Sequence, residues 1–573
     1  MASGLLLALA FPPWNLWPLA WVAMAPFAIA TLKLQAPNPK HQTDNPGKTK
    51  FGVWRLKLLW GLVIGIWRLP SFRLGFLAGL VFWLSTLYWL LWLGVTAEGI
   101  PRWLAWVFAL FAWTGVSAVC SLYFGLWTLG LWTLSKRFDT TTARGSLAIT
   151  VLGACLWIAL EWVRAHLWVG FPWNQLGVSQ YRTLTVMQFA DTTGVYGVSF
   201  QICLANLALA CWRRTSLVVS FGLVLALQVA GLVMTDYLGK PPLRRGFDVA
   251  VIQGSIAQND KWRAANEREI LERYEKLTRI AASASRHQLV IWPETSTPRP
   301  LNFDKATLDA VTAIAQAGNT YLLVGTIDAV GRDSTKNEDV SIGNAAFLIK
   351  PDGTFADKPY WKIRLVPFGE YIPLSGIVQS LKNLAGFPSL TAGKDYRIFS
   401  MNLHSAIGGD ELLGHPQNSD ARGSGPLPSS KFSVLICFED VFADHARIFV
   451  KNGAQFLINI TNDAWWGRSA GAEQHLANAV FRAVENRVWL VRCANTGLSC
   501  FINPNGEVVQ TVTPFTEGVT TASLPQPRGR QLTFYTKYGD VFAFACMAAV
   551  LAWLATEGFF YARKRRAHFT ERR

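Results

Sequence analysis

Apolar runs of membrane length, separated by short basic connections, fill the chain up to about residue 237, and shorter strand-like runs alternating with amphipathic stretches follow. Runs at about 16–32, 74–95, 103–134, 147–165, 192–212, 216–236 and 541–561 are each long enough for a membrane-crossing helix, which needs about 20 residues. A shorter run at 3–11 stops at Pro12-Pro13 and reads as half a span; counting it makes about eight spans. Its competing reading, a signal peptide cleaved near Ala28-Ile29-Ala30, lacks a basic start and has prolines in its apolar core. The 103–134 run is long enough to tilt or protrude. Leu56 to Trp67 is too short to cross and carries Lys57, with Arg55 and Arg68 beside it, so an interfacial helix is expected there.

The connections orient these spans. Lys33, Lys40, Lys48, Lys50, Arg55, Lys57, Arg68 and Arg73 stand against the single acid Asp44 between the second and third spans, which places that loop in the cytoplasm. Lys136, Arg137 and Arg144, then Arg213 and Arg214, and finally Arg563, Lys564, Arg565 and Arg566 fall on the same side by counting. The connection after the seventh span therefore leaves on the opposite face.

Residues 245–535 read as a separate domain on that outer face. Strands are expected at Phe247 to Gln253, Leu289 to Trp292, Tyr321 to Thr326, Asn344 to Ile349, 432–437, 455–460, 488–493 and Cys500 to Asn503, with an amphipathic helix over 264–286 rich in i, i+4 charge pairs. Turn signals close two of them, Pro351-Asp352-Gly353 and Pro504-Asn505-Gly506. The alternation predicts a layered α/β fold. Residues 404–430 are polar and rich in Gly, Pro and Ser, a flexible surface loop inserted before the strand at 432. The resulting division is a membrane domain at 1–240 with spans one to seven, a soluble domain at 245–535, a last transmembrane helix at 540–562 and a basic cytoplasmic tail at 563–573.

Composition sharpens this picture. A chain that is 51% hydrophobic with 26 tryptophans is too apolar for an ordinary soluble protein. The formal charge of +17 suggests a nucleic-acid partner at first sight, but the basic residues cluster between apolar runs and in the tail, as a membrane orientation signal does. No nucleic acid is expected. Cys120, Cys155, Cys203, Cys211 and Cys546 lie in apolar segments, and no CxxC or other metal-type spacing occurs, so neither a metal site nor a disulfide framework is inferred and no cofactor is called for.

Chemistry concentrates at three strand ends. Ser433 to Phe442, SVLICFEDVF, runs from a short apolar strand into Cys437, with Glu439 and Asp440 just behind. A buried strand delivers a nucleophile at its tip in this way, although a lone buried cysteine more often only packs. Ile291-Trp292-Pro293-Glu294-Thr295 ends its strand in a carboxylate, and Tyr360-Trp361-Lys362 is followed by Leu365-Val366-Pro367-Phe368-Gly369-Glu370. In open α/β sheets ligands bind beyond the carboxyl ends of strands, so acid, amine and thiol can converge there. A glutamate can take the thiol proton, a lysine ammonium can hold charge developing on a carbonyl oxygen, and the thiolate can attack that carbonyl.

In these contexts Glu294, Lys362 and Cys437 resemble the Glu-Lys-Cys triad of the nitrilase (carbon-nitrogen hydrolase) superfamily. With the spans, and with Gly170-Phe171-Pro172-Trp173, Gln253 to Trp262 (QGSIAQNDKW), the LVPFGE run and Ile460-Thr461-Asn462-Asp463-Ala464-Trp465-Trp466-Gly467, the chain is similar over nearly its whole length to the apolipoprotein N-acyltransferases. The resemblance implies a nitrilase-like α-β-β-α sandwich on the periplasmic side of a multi-pass inner-membrane protein. It implies a ping-pong transfer in which Cys437 takes an acyl chain from a phospholipid as a thioester, with Glu294 as base and Lys362 at the oxyanion. The acceptor is then the α-amino group of the diacylated N-terminal cysteine of an apolipoprotein, and the enzyme acts as a monomer in the bilayer. Glu370 and Glu439 match supporting positions, where a second carboxylate orients the lysine and tunes the thiol; their plainer reading is as exposed acids. Trp262, Phe438 and Trp465 match positions along the acyl or peptide path, or are simply core aromatics. At Phe438 tyrosine is common in the family, and the hydroxyl is missing here. The apolar stretch 371–390 is expected to dip toward the bilayer and admit lipid.

Competing readings are a membrane-tethered amidase or nitrilase that passes the acyl group to water, a papain-like site pairing Cys437 with His445 or His475, and a transporter or sensor carrying an inert domain. One anchor would suffice for the first, and nothing local places either histidine opposite the thiol. The intact trio disfavours the last, as do spans whose main interior charges are Glu161 and Arg164 near one end.

Overall fold

The computed structural model describes residues 1–34, 65–67, 69–97, 100–239, 246–284, 287–330, 341–371, 390–403, 429–525 and 531–570. They form two compact units, one of Met1–Val95, Trp103–Met234 and Asp540–Arg573, the other of Thr96–Arg102 and Thr235–Gly539.

Every expected span is helical in the first unit. Arg102–Arg137, Ala143–His166 and Arg214–Thr235 are long and apolar enough to cross a membrane alone, and Pro70–Thr86 with Tyr88–Thr96 makes a fourth if the pair, bent by 49°, counts as one. Trp17–Lys33, Val195–Cys211 and Val541–Glu557 are shorter apolar helices, and Ala2–Leu9 has two turns. The expected interfacial helix lies outside the described residues up to Ile64. The break inside Trp17–Lys33 leaves backbone donors that Asn206 satisfies: its Oδ1 accepts from the amides of Met24 and Ala25 at 2.8 and 3.0 Å, and its Nδ2 donates to Ala20 O at 2.8 Å. Gly4 faces the Ala78 carbonyl so closely that a Cβ there would collide, which lets Ala2–Leu9 lie against Pro70–Thr86. Glu161 and Arg164 are buried and brace a loop rather than an ion path. Glu161 accepts the Leu176 amide at 2.7 Å, and Arg164 donates to the carbonyls of Phe171 and Trp173 at 2.6 and 2.8 Å.

Among the described residues the second unit holds twelve strands: β1 (Gly246–Gln253), β2 (Leu289–Ile291), β3 (Tyr321–Val330), β4 (Ser341–Ile349), β5 (Tyr360–Trp361), β6 (Phe399–Asn402), β7 (Ser429–Ile436), β8 (Phe456–Thr461), β9 (Leu490–Ala494), β10 (Cys500–Ile502), β11 (Val508–Val509) and β12 (Gly518–Pro525). One sheet runs β12-β1-β2-β3-β4-β5 and the other β11-β10-β9-β8-β7-β6. Each has a parallel heart, β1-β2-β3 and β7-β8-β9, and antiparallel flanks. Parallel strands covered on both faces are buried along their whole length, as FLINIT and LVI are.

Glu267–Ala284 and Lys305–Gly318 cover the first sheet, with Ile270, Tyr274, Leu277, Val311 and Ile314 packed on Val290, Trp292, Leu322 and Val324. Ala443–Lys451 and Gly471–Asn486 cover the second. The sheets meet face to face. Phe247 touches Phe456 with ring centroids 5.5 Å apart, and the Cys493 thiol donates to Ile252 and Ile291 carbonyls at 3.4 Å. The layers are thus α-β-β-α. The charge pairs expected on the first helix form at Arg268–Glu272, Arg273–Glu269 and Arg279–Glu275, 2.6–2.8 Å apart, and the helix itself is Glu267–Ala284 rather than 264–286.

Both ends of the strand that leads to Cys437 move from their expected places. β7 begins at Ser429, so the last two residues of the 404–430 segment are strand, paired with β6, while 404–428 lie outside the described residues. β7 ends at Ile436, and Cys437 opens a turn of 3-10 helix, Cys437–Val441. β5, β6, β11 and β12 are not among the expected strands; β5, β6 and β11 have two to four residues, too few to carry a period, and eight-residue β12 is only partly buried along its antiparallel pairing with β1. Most of the 371–390 segment, 372–389, is likewise outside the described residues.

Candidate active site

Cys437 follows the last residue of β7 with a φ of +51°, in the left-handed region that costs a residue with a Cβ about 1–2 kcal/mol. The change of hand turns its carbonyl out of the sheet, where the Asn459 amide and the His475 Nε2 both reach it at 3.2 Å. The thiol is 7% exposed. Burial and the Glu294 charge push it well above the ordinary thiol value, and Lys362 pulls it only part of the way back. At rest the group is therefore a thiol that needs a base.

Glu294 stands three residues past β2. Thr295 behind it takes a φ of +46°, and a side chain at Gly325 would collide with the Glu294 backbone, so the neighbouring strand must offer a glycine. The carboxylate is 5% exposed and accepts from Asn344 Nδ2 at 2.7 Å and from the Asn462 amide at 2.8 Å, with Lys362 Nζ 3.5 Å away. Donors from three elements converge on one acceptor, the arrangement that suits a carboxylate.

Lys362 directly follows β5 and is buried. Its amide donates to Asn344 O at 2.8 Å, and its Nζ reaches Glu370 Oε1 at 2.8 Å. Burial alone would lower the ammonium, but Glu370 and then Glu294 outweigh it and hold Lys362 above the usual lysine value. Glu370, one of the two supporting acids expected, is the one in contact with the lysine. Its Oε2 accepts the Val366 amide at 2.8 Å, closing the LVPFGE loop on itself.

Glu439 is neither exposed nor bound to the lysine. Fully buried, it accepts the amides of Ile363 and Arg364 at 2.6 and 3.0 Å, the Ile436 amide at 2.7 Å and the Tyr360 hydroxyl at 2.8 Å, with His445 Nε2 at 3.3 Å. It ties the segment that follows Lys362 to the strand that carries Cys437. Burial opposes its charge, but His445 and the backbone donors prevail and hold it below the usual carboxylate range. The three aromatics differ. Trp262 is 46% and Trp465 37% exposed, so neither is a core aromatic, whereas Phe438 is buried edge-on against Phe442.

Neither histidine forms a papain-like pair. His445 serves Glu439 and Tyr360, and His475 addresses the Cys437 carbonyl. Among the described residues, no group of three or more His, Cys, Asp or Glu side chains is placed to hold a metal ion. Several residues that build the site were not anticipated. Asn344 and Asn459 sit inside apolar strands, where a lone polar residue is the available signal, and so does Arg492. Lys261, 2% exposed, donates to the Glu294 main-chain carbonyl at 2.8 Å, and burial lowers it to about 7 against the pull of Glu294 and Cys437.

Comparison with known proteins follows the same division. Residues 248–534 match the family described as Carbon-nitrogen hydrolase, and residues 3–208 match that described as Apolipoprotein N-acyltransferase N-terminal domain. The apolipoprotein N-acyltransferase of Geobacter metallireducens is 34% identical over 96% of this chain and 94% of its own, and that of Chlorobaculum tepidum is 30% identical over 97% and 95%. Among solved structures, Saccharomyces cerevisiae Nit3, of branch 10 of the nitrilase superfamily, aligns at 18% identity and a TM-score of 0.34 over 49% of this chain and 90% of that one. A hydrolase-type sandwich with an acid, a lysine and a thiol at its strand ends, joined to helices matched over their own stretch and identical to this degree from end to end, places the chain in the apolipoprotein N-acyltransferase family.

Proposed function

We propose that this lipoprotein N-acyltransferase works by a two-step transfer through Cys437. In the first step Glu294 takes the thiol proton as sulfur attacks the ester carbonyl of a phospholipid, and the Lys362 ammonium holds the charge gathering on the carbonyl oxygen. The ester C–O bond breaks, Glu294 returns the proton to the leaving alcohol oxygen, and a thioester remains on Cys437. In the second step the α-amine of the diacylated N-terminal cysteine attacks that thioester, an amide forms, and the proton given up by the amine restores the thiol by way of Glu294. Splitting the transfer in two avoids direct attack of an amine on a poorly activated ester.

One observation carries this reading. Glu294 and Lys362 lie 3.5 Å apart, just past the ends of two different strands, and the charges of both bear on the thiol of a cysteine held in a left-handed turn. Glu370 orients the lysine, Glu439 braces the loop after it, and the exposed Trp262 and Trp465, with Phe438, line the acyl and peptide path. The basic loops support eight crossings of the inner membrane with residues 245–535 on the periplasmic side, beside the phospholipid, the lipoprotein acceptor and the bilayer; we propose a monomer.

Incubating the purified protein with phospholipid should leave a hydroxylamine-labile acyl group on Cys437, detected by mass spectrometry, that a diacylated lipopeptide discharges. An equal adduct in Cys437→Ala would sink the mechanism. Discharge by water alone, with no lipopeptide acylated, would leave a nitrilase-type hydrolase.

A further inference from the structure

Next to Cys437 lies a cluster of four ionisable side chains, all fully buried: Asp440, Asp463, His475 and Arg492. Arg492 donates to Asp440 Oδ2 at 2.9 Å and to Asp463 Oδ2 at 3.0 Å. His475 sits between the two carboxylates, Nδ1 3.1 Å from Asp463 Oδ1 and 2.9 Å from Arg492 Nη2, Nε2 2.7 Å from Asp440 Oδ1. Thr461 adds a hydroxyl to Asp463 Oδ1 at 3.1 Å, and the edge of Trp466 closes the far side, ring centroids 5.0 Å from the imidazole. A well-packed apolar filling would serve stability as well as such an ion cluster does. What the charges supply is a ring held in one place.

The held ring has a definite target. Its Nε2 faces two acceptors, the Cys437 carbonyl oxygen at 3.2 Å, in line with the N–H, and Asp440 Oδ1 at 2.7 Å. Because Nε2 faces only acceptors, it carries a proton whether the ring is neutral or charged, and in the neutral ring Nδ1 accepts from the Arg492 guanidinium 2.9 Å away. Asn459 supplies the second donor to the same carbonyl, and its own Oδ1 is fixed by Arg492 at 2.6 Å. Both lone pairs of one backbone carbonyl are thus taken up by side chains tied to one arginine. That carbonyl belongs to the residue whose φ of +51° leaves the sheet ladder.

We infer that His475 is a positioning residue for the nucleophile: with Asn459 it holds the Cys437 carbonyl, and so the left-handed turn that presents the thiol, while Asp440, Asp463 and Arg492 hold the ring. It acts through the main chain and never meets the substrate. The inference rests on Cys437 as the acylated residue.

The test is the single-turnover rate of Cys437 acylation in the full-length protein, in mixed micelles of detergent and a diacyl phosphatidylethanolamine. His475→Phe keeps a ring without a donor, His475→Gln keeps a donor, and Asn459→Ala removes the second donor. His475→Phe and Asn459→Ala should each lower the maximal rate by about 10- to 100-fold, the worth of one hydrogen bond in a charged setting, at an unchanged half-saturating lipid concentration. His475→Gln should stay within about 3-fold of the unsubstituted protein, because a neutral amide replaces most of that bond. Wild-type acylation by His475→Phe, or equal slowing by His475→Phe and His475→Gln, would overturn the inference. Should His475→Phe fail to fold, the other two decide: a slow Asn459→Ala beside a competent His475→Gln upholds it, and any other combination refutes it. Absence of adduct in the unsubstituted protein would instead remove the Cys437 reading itself.

Discussion

Replacing Glu370 with glutamine changes one atom and should slow acylation sharply. Both partners of this carboxylate are donors, Lys362 Nζ at Oε1 and the Val366 amide at Oε2, each 2.8 Å away. A glutamine has one acceptor and one donor, so in either orientation of the amide one partner meets an N–H instead of an oxygen. If Lys362 loses, the ammonium that steadies the oxyanion is misplaced; if Val366 loses, the loop carrying residue 370 opens. Opposite charges 2.8 Å apart attract by about 6 kcal/mol at an effective dielectric constant of 20. Lys362 keeps Glu294 at 3.5 Å, however, so the net loss should approach that of one charged hydrogen bond, about 1.5–3 kcal/mol. In rate this is about 10- to 150-fold. Single-turnover thioester formation measures it, and thermal melting reports separately on the fold. Unchanged acylation by Glu370→Gln, in a protein that melts like the unsubstituted one, would refute the role given to Glu370 and with it the dependence of Lys362 on a second acid.

Because burial and Glu294 hold the Cys437 thiol high, alkylation by iodoacetamide should be slow at pH 7 and still rising at pH 10; a plateau with a midpoint at or below pH 7 would mean a preformed thiolate and no need of a base. Glu439, held low, stabilises the folded unit above the unfolded carboxylate value of about 4.3 and loses that contribution as pH falls through its lower folded value, so Glu439→Gln should flatten the acid limb of a stability-against-pH curve; an unaltered limb would count against the brace. Lys261, brought to about 7 by burial, binds fewer protons folded than unfolded between about pH 7 and 10, so the folded unit gains stability as pH rises through that window. Lys261→Met should abolish this slope and, by freeing the Glu294 carbonyl, lower acylation several-fold. A slope that survives the substitution would show that the amine is not its source.

What the sequence makes legible here is whatever sits beside a long period. Cys437 and Glu294 each follow an apolar run and lie just past the end of a strand in the structure, Lys362 follows only the two residues of β5, and the charge pairs of Glu267–Ala284 follow from spacing alone. Glu439 is different. Nothing in CFED distinguishes a solvated acid from one that collects the amides of Ile363 and Arg364, since those donors arrive from more than seventy residues away. The same holds for Asn344, Asn459 and Arg492, lone polar residues in buried strands whose partners come from other elements, and for the handedness of Cys437, which is a property of the turn and not of the residue. Among the helices, a run of apolar residues shows that a helix forms but not where it bends. The expected single span at 74–95 is two helices at 49°.

The antiparallel pairing of β1 with β12 has a consequence for how the protein is made. Gly246 lies opposite Pro525, so the strand that opens the catalytic unit finds its outer neighbour only after roughly 280 further residues have been synthesised, which takes roughly 14–56 s at about 5–20 residues per second. Throughout that interval one edge of the first sheet stays open to any strand nearby, its own or another chain's. Translation speed and the holding of nascent chain at the membrane therefore bear directly on the yield of this enzyme, and substitutions that slow the closing of β12 should be felt as aggregation during synthesis before they are felt as lost activity.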